Sequence, residues 1–84
     1  MKYDEVEVDE EKVDEAVLAL LYLTSFTEQG FTRAWKEHDW DALSRLHEKG
    51  RIFNPKGKAK SVVLTEEGAK ESKKLFWKYF AKVR

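Results

Sequence analysis

The chain has 84 residues, enough for one domain (1–84) around one compact core. It is 42% hydrophobic and 13% aromatic and has no cysteine. A core can therefore form without a staple, while disulfides, thiolate metal sites and cysteine nucleophiles are excluded. Net charge is zero, but residues 1–44 carry four cationic side chains against twelve acidic ones, and residues 45–84 carry the reverse. The resulting −8 and +8 either interleave in the fold or leave a dipole that orients a partner, favouring head-to-tail association.

The N-terminal MKYDEVEV is acidic and lacks the apolar segment of a signal peptide, so a cytoplasmic location is expected. Residues 1–8 read as an acidic tail or a short edge strand. Asp9 is a candidate N-cap for a helix reaching to about Ser25, with Glu10 and Glu11 suiting its positive end. Val13, Ala16, Val17, Leu20 and Leu21 form its main apolar stripe. Leu18, Tyr22 and Phe26 form a second stripe directed elsewhere, the pattern of a helix buried on both faces or placed at a subunit interface. The apolar run 16–23 is too short to span a bilayer.

Phe31, Ala34 and Trp35 have the spacing of a short helix ending near Glu37. Asp39 then caps a helix from Trp40 to Lys49 that buries Trp40, Leu43, Leu46 and His47, and Gly50 supplies its left-handed stop. Arg51–Phe53 and Ala59–Leu64 read as strands joined by a type I turn at Asn54-Pro55-Lys56-Gly57, with Lys56, Lys58 and Lys60 at the tip. Thr65 caps a last helix that buries Ala69, Ser72, Phe76, Tyr79, Phe80 and Val83 and turns Trp77 outward. Lys82 and Arg84 complement its negative end. The expectation is an α+β, mostly helical, winged helix-turn-helix-like domain: three helices, a two-stranded β-hairpin wing and a C-terminal helix.

The residues Leu43, Leu46, Lys49, Gly50 and Ile52, followed by Val63-Leu64-Thr65-Glu66-Glu67-Gly68, resemble the winged-helix core of MarR-like and PadR-like transcriptional regulators. That resemblance covers roughly the second half and implies DNA binding. Over nearly its whole length, through AVLALLYLTSF, AWKEHDWDALSRLHEKG and KAKSVVLTEEG, the chain also resembles a family of short bacterial proteins of unknown function.

Two macromolecular roles follow. The first is a non-catalytic interaction or dimerisation module on a winged-helix scaffold, with Leu18, Tyr22, Phe26 and Trp77 as self-association residues and a homodimer or other protein as partner. The alternative is DNA binding through Ser44, Arg45, Lys49, Arg51, Lys56, Lys58 and Lys60. Asp39 and Asp41 at the front of that helix count against it, because acids there face phosphates. Catalysis has little support. His38 and His47 lack a third ligand at metal spacing, no cofactor motif occurs, and the four glycines stand apart, so no enzyme, cofactor or metal is expected. The lysine-rich last helix would suit anionic lipid, but its aromatic face is explained as the lid of the core, and no membrane association is expected.

Overall fold

The computed structural model describes residues 6–82. Its elements are α1 (Glu10–Leu23), β1 (Phe26–Glu28), β2 (Phe31–Trp35), α2 (Trp40–Glu48), β3 (Ser61–Val63) and α3 (Glu66–Phe80). This is an α+β fold with three helices and one three-stranded antiparallel sheet in the order β1-β2-β3. Residues 6–9 have no regular structure, so the described part of the expected edge strand is not one; residues 1–5, Val83 and Arg84 lie outside the described residues.

The main correction falls at Phe31–Trp35, expected as a helix and found as the central strand. Thr32 and Arg33 interrupt the apolar residues in a way that suits period 2 as well as period 3.6, and Gln29-Gly30 decides between them. Both have positive φ, +52° and +83°, as a two-residue I′ hairpin loop requires. Glu28 and Phe31 face each other across that loop. Once the hairpin forms, Phe26 can no longer extend α1. Among the described residues a hairpin therefore occupies the place of the helix expected before α2.

The second half keeps its expected order with looser geometry. α2 starts at Asp39, whose Oδ2 accepts the Ala42 N–H at 3.1 Å. It ends in a Schellman motif: the Gly50 N–H donates to His47 O at 3.0 Å and the Arg51 N–H to Leu46 O at 2.9 Å, with Gly50 at φ +76°. The tight turn at 54–57 is instead part of a loop over residues 54–60, in which Asn54 Oδ1 accepts the Lys56 N–H at 2.9 Å. β3 is correspondingly shorter, and its main partner is β2 (Arg33↔Val63, Ala34↔Val62, Trp35↔Ser61). The 51–53 segment forms no strand and pairs through the Ile52↔Leu64 bridge, flanked by a Phe53 N–H to Val63 O bond of 2.9 Å and a Thr65 N–H to Arg51 O bond of 3.1 Å.

The core contains Val17, Leu18 and Leu21 of α1, Ala34, Leu43, Leu46, Ile52, Val62, Leu64 and Leu75. This reassigns the stripes of α1. Leu18, expected to face outward, is 2% exposed, whereas Ala16 and Leu20 are exposed. Trp40 and His47 also lie outside the core, although His47 Nδ1 is 3.1 Å from Ile52 O. On α3, Ser72 is buried and Ala69 and Phe76 partly so, while Tyr79 and Phe80 are exposed, as is Trp77.

Candidate functional site

The expected DNA-reading residues of α2 are engaged inside the molecule. Asp14 of α1 is 2% exposed and sits under α2. Arg45 Nε lies 2.9 Å from both its oxygens, Arg45 Nη2 2.8 Å from Oδ1, and Lys49 Nζ 2.9 Å from Oδ2. Arg45 Nη1 also reaches Glu10 at 3.4 Å. Arg45 and Lys49 are one turn apart, so a single α2 face delivers both cations to one carboxylate. Burial would raise the Asp14 pKa, but the hydrogen bonds from Arg45 and Lys49, reinforced by their charges, outweigh it and hold the carboxyl below its ordinary range. Part of the opposition between the two halves of the sequence is thus neutralised within the chain.

A second junction, through Thr65 and Gly68, ties the start of α3 to the end of α2. The Thr65 hydroxyl accepts the Gly68 N–H at 2.9 Å, capping α3, and donates to Gly50 O at 2.6 Å. The Thr65 N–H donates to Arg51 O at 3.1 Å. Gly68 is glycine because a Cβ there would collide with the Arg51 carbonyl, lying 2.6 Å from its carbon. Arg51, another expected nucleic-acid contact, bonds Lys49 O at 3.2 Å and Glu67 at 3.3 Å. Ser44 is half-buried. The wing lysines differ: Lys56, Lys58 and Lys60 are exposed, and none pairs with a described carboxylate.

The expected self-association residues do not form one surface. Leu18 is core. Tyr22 packs its ring on Phe76 at 5.2 Å, and Phe26 lies in β1 against Trp35 at 5.5 Å. Only Trp77 is open, at 56% exposure. An apolar groove that the periodicity did not mark runs nearby instead, walled by Leu20 and Leu23 of α1 and Phe76 and Phe80 of α3. Its walls offer carbon alone. The Phe76 ring meets Phe80 at 5.4 Å and the Trp77 ring edge-on at 6.4 Å, joining the groove to Trp77. Tyr79 donates its hydroxyl to Glu15 at 2.6 Å, which holds its pKa above the ordinary value.

Asp14 carries a legible signal, since residues 14, 17, 18 and 21 share one face of α1. Leu20 and Leu23 show as exposed only once α1 is packed against α2 and α3. Burial holds His38 below its ordinary pKa, against the opposing charge of Glu37. Among the described residues no cluster of three or more His, Cys, Asp or Glu is placed to hold a metal, and no helix is long and apolar enough to cross a membrane.

These features define a small α+β domain with a charge-locked junction between α1 and α2 and an open apolar groove between α1 and α3. The chain belongs to the DUF6429 family, a domain of unknown function whose model matches residues 9–82. It is 49% identical over 77 residues to the uncharacterized protein y4hR of Sinorhizobium fredii (strain NBRC 101917 / NGR234), covering 92% of this chain and all of the relative. No solved structure matches the chain.

Proposed function

We propose that this protein is a non-catalytic interaction module that pairs with a second copy of itself through the α1–α3 groove. The observation that carries the reading is the groove: Leu20, Leu23 and Phe80 are 36%, 61% and 51% exposed and lie side by side. Adjacent exposed apolar side chains on two helices mark a contact surface, and an aromatic at its edge, here Trp77, is the typical anchor. Two copies related by a two-fold axis would lay one groove on the other, giving a four-helix contact. The α2–loop–β3–α3 order supports a winged-helix-like reading of the second half, used as scaffold. Duplex reading by α2 is disfavoured, because Arg45 and Lys49 are committed to Asp14 and Asp41 stands at the helix front.

Sedimentation equilibrium tests this. The wild-type chain is expected at twice its 9.9 kDa mass. Leu23→Glu and Phe80→Glu are expected at the single-chain mass with unchanged circular dichroism. A wild-type monomer at all concentrations, or dimers indifferent to both substitutions, would refute the reading.

A further inference from the structure

The outward face of the sheet carries a separate feature. Antiparallel register places Phe26 opposite Arg33 and Arg33 opposite Val63, and the Ile52↔Leu64 bridge places Phe53 opposite Val63 in turn. Side chains directly opposite share a face, and residues two apart on one strand do as well. Phe31, Arg33 and Trp35 therefore point the same way as Phe26, Val63 and Phe53, while Ala34 and Val62 point into the core. Phe31, Trp35 and Phe53 are 55%, 48% and 53% exposed.

Cations border the Trp35 end. The Lys36 N–H donates to Lys60 O at 3.1 Å, so β2 carries Trp35 directly into the 54–60 loop. Lys36 Nζ donates to Pro55 O at 2.8 Å and Gly57 O at 3.1 Å, holding the loop beside the strand. A groove of about 420 Å³ lies there, lined by Lys36, Glu37, Gly57, Lys58, Ala59 and Lys60. Arg33 stands between the Phe26 and Phe53 positions, its Nε bonded to Ser61 Oγ at 2.9 Å. At this end Arg33, Lys36, Lys58 and Lys60 outnumber Glu37, while Glu28, opposite Phe31, and Glu66, which lines a groove with Phe31, Phe53 and Lys70, lie at the far end.

We propose that this face binds single-stranded nucleic acid: bases stack on Trp35 and the neighbouring rings, and the backbone follows Lys58 and Lys60 along the loop groove. Open rings beside an unpaired cationic loop have the composition of a stacking platform, in which rings hold bases and lysines hold phosphates. Charge complementarity selects a polyanion. The rings select a single strand, because a duplex keeps its base faces stacked internally. This face is distinct from the α1–α3 groove, so the inference does not depend on pairing.

The test is fluorescence anisotropy of a labelled oligothymidine of roughly 20 nucleotides, longer than one such site requires, with the full chain and with Trp35→Ala, Trp35→Phe, K58Q/K60Q and Trp77→Ala. Two lysine–phosphate contacts, at Lys58 and Lys60, predict roughly a sevenfold loss of affinity between about 50 and about 200 mM salt. Trp35→Ala is expected to weaken binding about tenfold and Trp35→Phe to restore most of it. K58Q/K60Q, at exposed loop positions that cannot unfold the domain, is expected to weaken binding and flatten the salt dependence. Trp77→Ala and the groove variant Leu23→Glu are expected to bind as wild type. Absence of binding at low salt, equal affinity for duplex with no effect at Trp35, or loss of binding in Trp77→Ala would overturn the proposal. The last two outcomes would point to wing–duplex contact and to the α3 face, respectively.

Discussion

The two sides of α1 solve opposite problems with the same helix. Toward α2 it presents Asp14, a buried carboxylate that accepts from two cations of one helix face. Toward solvent it presents Leu20 and Leu23, apolar side chains that meet only the aromatic end of α3. A buried charge is tolerable only when fully partnered, so the first side is closed and specific. An apolar groove costs little in isolation and gains when covered, so the second is open and suited to association. In this chain electrostatics locks the fold, and hydrophobic surface is what remains available for contact.

The largest effect on the fold is expected at the neighbouring junction, where Gly68 meets the end of α2. Gly68→Ala places a Cβ against the Arg51 carbonyl and is expected to destabilise the domain by about 3 kcal/mol, read by chemical denaturation. Asp14→Ala removes the shared partner of Arg45 and Lys49, but Arg45 keeps Glu10 and both reach partly into solvent, so a smaller loss of about 2 kcal/mol is expected. The same carboxylate sets an acid response. Its folded-state pKa lies below its unfolded value, so its contribution is present above the unfolded pKa, about 4, and is lost as pH falls through the folded one. Thermal melts from neutral pH down to below about pH 4 should show the wild type losing stability that Asp14→Asn no longer has to lose.

Thr65→Ala removes the α3 cap and the tie to Gly50, with an expected loss of about 1 kcal/mol. At the open side Leu23→Glu should change folding stability by no more than about 0.5 kcal/mol while abolishing pairing. That smallest effect on the fold, with the largest effect on assembly, is what separates the two sides.

The helix ends were legible in the sequence, but the Asp14 junction was missed, since Arg45 and Lys49 read as nucleic-acid contacts. Asp9, Asp39 and Thr65 accept backbone N–H groups as caps, and Gly50 ends α2 with positive φ, because capping is a local interaction written into neighbouring residues. The hairpin was misread because Phe31, Ala34 and Trp35 fit a helix equally well, and the deciding residues, Gln29 and Gly30, lie outside that pattern. Phe26 moved from the helix to β1, Leu18 moved into the core, and the surface sought at Leu18, Tyr22 and Phe26 appears at Leu20, Leu23, Phe76 and Phe80. Trp40 reads as buried with Leu43, Leu46 and His47 on one side of its helix, but as the first residue of α2 it is exposed. Local signals fixed element ends well; which face an element buries depended on a tertiary partner.

The most direct test of the contrast is an amide ¹H–¹⁵N dilution series on the full wild-type chain. Concentration-dependent shifts are predicted at residues 20–23 and 76–80, with residues 43–68 unmoved. Shifts confined to the sheet or to the Asp14 junction, or none at any concentration, would contradict the assignment of the α1–α3 groove as the pairing surface.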